Sequence, residues 1–194
     1  EYRSDIFGER GVLLGGIYGI CEALYRNYSL CGNRETSYSN SVKNITHTIS
    51  NIISKNGLLG VYKQMDGKNQ LLFEKTYMKS YPIMIELLEE IYDEVKSGNE
   101  INSVILRCNK LDKYPIRNID HTEVWTIEKA IREKNLISNL NPITAAIYLS
   151  TMIAQIDILI KNNHNFSEIV NETIIEAIDS LNPYLDEKGI SHMV

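Results

Sequence analysis

Hydrophobic residues recur along this chain at intervals of three and four, with no sustained alternation, so the pattern predicts helices throughout and no strand. The first predicted helix carries Ile6, Leu13, Ile17 and Ile20 on one flank and Gly8, Gly15 and Gly19 on another. Asp5 and Glu9, four residues apart, share a third face with Val12 and Gly16. A helix so nearly apolar all round is expected to be buried. Two carboxylates in it must then be neutralised, paired or bound to a cation, and a hard divalent metal is one solution. Gly11, Gly15 and Gly19 each cost about 1 kcal/mol relative to Ala, which predicts close approach of another backbone. Glu22 and Arg26 cut this apolar run well short of the ~20 residues a membrane span needs. The glycines also lack a preceding strand and the Gly-x-Gly-x-x-Gly spacing of a dinucleotide loop.

Cys31-Gly32-Asn33 reads as a turn, and a second helix is expected from about Glu35 to Ser54, closed by Lys55-Asn56-Gly57. After a break at Asp66-Gly67-Lys68-Asn69, helical spacing resumes from Leu71 to Val95, with Pro82 either kinking the helix or opening a new segment. Ser97-Gly98-Asn99 stops it. Cys108 to Asp120 is polar and aperiodic, a surface excursion, and a short helix follows around Trp125 to Glu133. Asn141-Pro142 is a helix start, an N-cap followed by Pro at the first position. The helix it opens, through Ile147, Leu149, Met152, Ile153, Ile156 and Leu159, is the most apolar and is expected at the centre of the core. Asn165-Phe166-Ser167-Glu168 resembles a capping box for the last long helix, which Asn182-Pro183 should end.

With 194 residues, 43% of them hydrophobic, the chain can bury one substantial core and is read as one all-α domain over residues 1–194. A net charge of -5 argues against nucleic acid as a partner. Cys21, Cys31 and Cys108 are odd in number and lack metal-site spacing, which points to reduced core thiols in an intracellular compartment. The chain begins Glu1-Tyr2-Arg3 and ends Ser191-His192-Met193-Val194, and both ends read as cuts.

The last helix repeats the acidic spacing with Glu172 and Glu176, and Asp179 lies alongside. On a helical wheel Val170, Ile174, Ala177, Ile178 and Leu181 make the apolar stripe opposite these acids, which taken alone is an ordinary solvated face. The acidic helices sit in comparable contexts within two halves, roughly 1–96 and 120–194, which suggests an internal duplication. Laying Asn40 to Ile45 beside Thr173 to Ile178 puts Lys43 opposite Glu176 and Ser39 opposite Glu172. A pseudo-twofold packing of the halves would bring one acid pair from each to a single site.

Glu1 to Gly15 resembles the metal-binding helix of plant-type, long-form ketol-acid reductoisomerases. Phe73-Glu74-Lys75-Thr76-Tyr77 with Tyr81-Pro82, the stretch Ser97 to Val104, and Ser167 to Glu176 continuing through Asp179 to Pro183 resemble that family in the same order. The resemblance implies a duplicated, knotted, all-α C-terminal domain of an enzyme of branched-chain amino-acid synthesis. That enzyme converts 2-acetolactate or 2-aceto-2-hydroxybutyrate, both 2-hydroxy-3-keto acids, by a Mg-dependent alkyl shift and NADPH reduction. It further implies two Mg ions, with Asp5 bridging them and Glu9 completing one. Glu172 and Glu176 would serve the second, and Glu176 would also meet the substrate. Leu13, Leu14 and Leu181 match positions lining the family's substrate pocket. The chemistry suits these residue types, because Mg prefers carboxylates and retained waters and two ions can polarise a ketol together.

A homodimer and a plastid location are expected with the same resemblance, and no membrane partner is expected from the short apolar run. The family's NADPH-binding Rossmann domain would precede Glu1, and its substrate-binding Ser lies just past the Met-Val pair. His192 stands where an aromatic is usual, Lys43 where Glu is common, and Arg107 to Asp120 is shorter, so this piece alone is expected to be inactive. The alternative is a non-catalytic helical dimerisation or interaction domain related to the family.

Overall fold

The computed structural model describes residues 2–110, 122–132, 134 and 138–190, and among them every element is helical. The chain opens with α1 (Tyr2–Gly8), a π-helical turn π1 (Glu9–Leu13) and α2 (Gly15–Ser29). Next come α3 (Arg34–Tyr38), π2 (Ser39–Ile49) and α4 (Ser50–Asn56), three segments of one continuous helix, and then α5 (Leu58–Lys63). The long α6 (Gly67–Ser97) leads through Gly98 into α7 (Asn99–Cys108). Then follow α8 (Glu123–Arg132), α9 (Pro142–Lys161), α10 (Phe166–Val170), π3 (Asn171–Leu181) and α11 (Asn182–Lys188).

Capping chemistry sets several of these bounds. The Asn141 side chain accepts from the Ile143 and Thr144 amides and Pro142 occupies the first turn of α9, as the sequence predicts. Asp66 caps α6 through the Asn69 amide, and Gly98 ends that helix in a left-handed conformation that suits glycine. α6 runs through Pro82 as one helix, so no fresh segment starts there. Asn165 has the extended backbone of a cap but no side-chain capping bond, and Glu168 turns instead to Ser4 and His164. Pro183 does not end the last helix: it falls at the handover from π3 to α11, and helical backbone persists to Gly189. α7 occupies a stretch for which no helix was expected. The predicted Cys108–Asp120 excursion falls mostly on residues 111–121, which with His192 lie outside the described residues.

α9 is the spine. It is long and apolar enough to cross a membrane by composition, with 67% of its most apolar stretch buried. It packs along α6 and meets α2, all three π-helical segments and α10. Phe7, Leu88, Tyr92, Ile158 and Leu159 form a smaller cluster at the α1 end, and Ile17, Tyr38, Ile45, Tyr148, Met152 and Ile178 belong to the main core. Of the cysteines only Cys21 is buried. Cys31 and Cys108 are exposed, so core packing describes one thiol of three.

The α3–π2–α4 and α10–π3–α11 helices have equal parts: five, eleven and seven residues each. Arg34 and Phe166, Ser39 and Asn171, and Ser50 and Asn182 begin the corresponding parts, and Gly57 and Gly189 close both, a constant displacement of 132 residues. In this register Asn44, not Lys43, corresponds to Glu176, and Asn40 corresponds to Glu172. The alignment laid out from sequence, with Lys43 opposite Glu176, differs by one residue from this displacement. α11 packs on π2 and α4 on π3. Ser50 and Asn182 meet at 3.1 Å beside the Tyr148 hydroxyl.

The initial helix is not continuous. Gly11 has non-helical backbone (φ -88, ψ -119), which divides α1 from α2. Its glycine is required by space, since a Cβ there would lie 2.0 Å from Oε1 of Gln155. That amide, fully buried, accepts the Val12 N–H at 2.8 Å and donates to the Glu172 carbonyl at 3.0 Å. Gly8 is the true close approach of backbones, its absent Cβ lying 3.0 Å from the Glu172 carbonyl oxygen. Gly15 and Gly16 instead crowd carbonyls of their own kink and a Cβ at Gly19 would meet open space, which corrects the expectation of a glycine-lined helix crossing.

Gly11→Ala is expected to lower stability by about 1–3 kcal/mol through overpacking. Gln155→Leu should lower it by about 2–4 kcal/mol by stranding two buried backbone groups. Urea unfolding of both variants checks this, and a wild-type midpoint for Gln155→Leu would show that the clamp is dispensable.

Candidate metal and substrate site

The site forms where α1 and π1 cross π3. Asp5 and Glu9 stand on the exposed side of the first helix, while Phe7, Gly8 and Ser4 are buried. The expectation that this helix buries its acids is therefore wrong: its apolar side suffices for the core, and the acidic side opens toward π3.

Across the cleft the reverse holds. Glu172 is 9% exposed and Glu176 half-buried, so the solvated face read for this helix fails. The i→i+5 bonding of π3 widens its turns, and a wheel drawn at 3.6 residues per turn misplaces the side chains. Thr173, Ala177 and Ile178 are buried, Ile175 is exposed, and Glu172 is turned inward. Asp179 points away and accepts from Ser54 at 2.8 Å.

The carboxylates feel one another. Burial raises the pKa of Glu9, and the charges of Asp5, Glu176 and Glu100 raise it further. Burial likewise raises that of Glu172, opposed by the Asn171 amide and aided by Glu176 and Asp5. Asn171 ties the second pair together, with Nδ2 donating to Glu176 Oε1 at 2.8 Å and to Glu172 Oε1 at 3.3 Å. Glu172 Oε2 is buried with no hydrogen-bond partner. Among the described residues no three His, Cys, Asp or Glu side chains converge closely enough to form a ready ligand cage. The structure thus brings all four predicted acids within electrostatic reach while leaving them apart.

A hard divalent cation fits this donor set. The groups are all oxygen, they repel one another, and one buried oxygen lacks a partner, which is costly unless a proton or cation supplies one. Of the apolar residues assigned to a substrate pocket, Leu13 is sealed in the core at 1% exposure, whereas Leu14 and Leu181 are half-buried against the same cluster. Sequence reasoning missed Gln155, Asn171 and Glu100. Gln155 was detectable, as the sole amide in the Met152 to Leu159 stretch of an otherwise apolar helix. Asn171 and Glu100 had no such signal.

An all-helical domain with an acid pair on each of two crossing segments is the class of protein defined so far. A family described as ketol-acid reductoisomerase, C-terminal domain, matches residues 1–135. The chloroplastic ketol-acid reductoisomerase of Pisum sativum is 42% identical over all of this chain, which covers 35% of that protein. That of Spinacia oleracea is 41% identical, again over the whole chain and 34% of its own length. The mitochondrial enzyme of Saccharomyces cerevisiae is 27% identical over 69% of the chain and 35% of its length. The chain belongs to the ketol-acid reductoisomerase C-terminal domain family, and it spans about a third of the length of these relatives.

With metal chelated, the raised pKa of Glu172 disfavours the folded state at neutral pH. Its stabilising contribution is fully present below its ordinary value of 4.5 and is lost as pH rises through the folded value. Glu172→Gln should therefore be more stable than wild type at pH 7, the gap closing as pH falls toward 4.5. Urea unfolding in chelator at several pH values measures this; a gap independent of pH would contradict it.

Proposed function

We propose that this chain is the metal- and substrate-binding part of a ketol-acid reductoisomerase that converts 2-acetolactate or 2-aceto-2-hydroxybutyrate to the dihydroxy acid in valine and isoleucine synthesis. The observation that carries the reading is the placement of Asp5, Glu9, Glu172 and Glu176 on facing segments, with a buried Glu172 oxygen that has no partner. The full-length similarity to the pea and spinach proteins supports it and points to a plastid. In this reading Asp5 would serve both of two Mg ions, Glu9 would help hold one of them, and Glu172 and Glu176 would help hold the other. When bound, the ions would polarise a carbonyl and make an adjacent hydroxyl more acidic.

The residues of this chain then divide the remaining work. Glu176, half-buried and steadied by Asn171, faces the substrate oxygens and can hold a proton there. Leu14 and Leu181 offer apolar surface to the substrate's alkyl groups. Leu13 backs them from within the core. NADPH would be bound by the part of the parent enzyme outside this chain, and the parent would be a homodimer.

The internal duplication belongs to the same reading. The constant displacement of 132 residues and the Ser50–Asn182 contact of equivalent positions support it. Where the acid site has Glu9 and Glu176, the other half has Asn141 and Asn44, the Asn141 amide donating to Asn44 Oδ1 at 3.1 Å. One copy would bind cations and the other a helix start. The knotted path implied by the family is part of this proposal.

Calorimetric titration of Mg²⁺ and Mn²⁺ should show saturable binding that Asp5→Asn weakens by at least about tenfold, as loss of a charged ligand does. Binding unchanged by the substitution would remove Asp5 from the site. Indifference of the wild-type protein to either ion would favour a non-catalytic helical interaction domain.

A further inference from the structure

We infer that Glu168 is a positioning residue for the acid site: it holds the Ser4 hydroxyl and through it fixes the rotation of α1, and so the direction in which Asp5 and Glu9 face. The inference rests on the metal-site reading above and adds to it a carboxylate that acts without serving as a ligand.

The need arises from the kink at Gly11. It separates α1 from α2, so a seven-residue helix that carries Asp5 and leads directly into Glu9 takes its orientation from contacts of its own. One contact is apolar. Phe7, fully buried, packs edge-on against Tyr92 of α6 with ring centroids 5.1 Å apart. Such burial is non-directional and leaves a short helix free to roll. The other contact is polar. Ser4, also fully buried, donates to Oε1 of Glu168 on α10, one turn before Glu172. Successive helical residues are about 100° apart, so a directional bond at Ser4 sets where Asp5 points and, a turn later, where Glu9 does.

Glu168 is itself held. His164 Nδ1 lies 3.3 Å from Glu168 Oε1, and Tyr92 Oη lies 2.7 Å from His164 Nε2. An ionised carboxylate only accepts, so Nδ1 carries a hydrogen, and in the neutral ring Nε2 accepts the Tyr92 O–H. His164 reaches Glu168 from a turn in which Asn163 has left-handed backbone (φ 60), the sole non-glycine residue with positive φ among the described residues. That conformation persists where its surroundings fix it, and here the His164 amide donates to the Leu159 carbonyl at 3.1 Å. The Tyr92 ring touches both Phe7 and His164, so it braces the apolar and the polar contact together. Glu168 also lines a cavity of about 610 Å³ with Asn171 and Glu172, which places the clasp at the border of the site. The two acid-bearing segments are thus pinned on both sides of the acids, by Ser4 and Glu168 before Asp5 and by Gln155 after Glu9.

Calorimetric titration of Mn²⁺ into the protein as its gene encodes it tests this. Ser4→Ala, Glu168→Ala and the double variant should each weaken Mn²⁺ binding by the same factor, about tenfold, because both residues act through one contact. Glu168→Gln, which keeps an oxygen for the Ser4 hydroxyl, should bind within about threefold of wild type. Urea midpoints of every variant establish that the fold persists, and Ser4→Ala, which removes one hydroxyl, carries the test if Glu168→Ala does not fold. Unchanged affinity in Ser4→Ala would overturn the inference alone. So would losses that add in the double variant, or a Glu168→Gln as weak as Glu168→Ala, the marks of a direct ligand or a long-range charge. A wild type that binds neither Mn²⁺ nor Mg²⁺ would overturn the metal reading and this role together.

Discussion

The buried Gln155 side chain is the contact on which the acidic site depends. A kink at Gly11 frees the Val12 amide, and the π-helical register of π3 leaves the Glu172 carbonyl facing α9. One amide group satisfies both. Buried backbone groups without partners are costly, so the two irregular segments are tolerated only because a third element presents a donor and an acceptor at the right separation. Gln155 thereby holds the Asp5/Glu9 segment at a fixed distance from the Glu172/Glu176 segment. The lack of a side chain at Gly11 makes the arrangement possible, and the lack of one at Gly8 lets the backbones cross.

The site is then assembled against its own electrostatics. Glu172 turns inward with one oxygen unpartnered, and neighbouring acids push its pKa and that of Glu9 upward. Such an arrangement disfavours the metal-free fold and favours anything that delivers positive charge. Glu168, only a turn away, shows the contrast. The Ser4 hydroxyl most strongly, and His164 less so, lower its pKa, so it is a satisfied structural carboxylate. Partner groups, more than exposure, separate the two roles.

Outside the site, ionic groups bind the halves to each other. Lys43, Thr46 and His47 on π2 converge on Asp186 of α11, and Ser54 of α4 meets Asp179 of π3. Lys43 donates to both carboxylate oxygens of Asp186, at 2.9 and 3.0 Å. α8 seats the end of α11, with Arg132 donating to the Glu187 carbonyl and Glu128 accepting the Ile190 amide.

Much of the fold was legible from the chain alone. Helical spacing without alternation excluded a sheet, Asn141-Pro142 and Gly57 marked real ends, and the run from Ile147 to Leu159 announced the central helix. The acid pairs and their family resemblance were equally plain, since i,i+4 spacing and a long motif are local. The misjudged points have two causes. A wheel assumes 3.6 residues per turn, and π3 departs from it, so Glu172 proved buried. Asp5 and Glu9 proved exposed because the apolar side of the first helix suffices for the core. Which carbonyl lies free, and which side chain swings inward, depends on what stands opposite. For Glu172 that neighbour is Gln155, seventeen residues earlier in sequence, and for Val12 it lies 143 residues away. The sequence by itself determined the helices, their ends and the chemistry available. Only the tertiary structure decided which groups face one another, because backbone satisfaction is settled across the core and not along the chain.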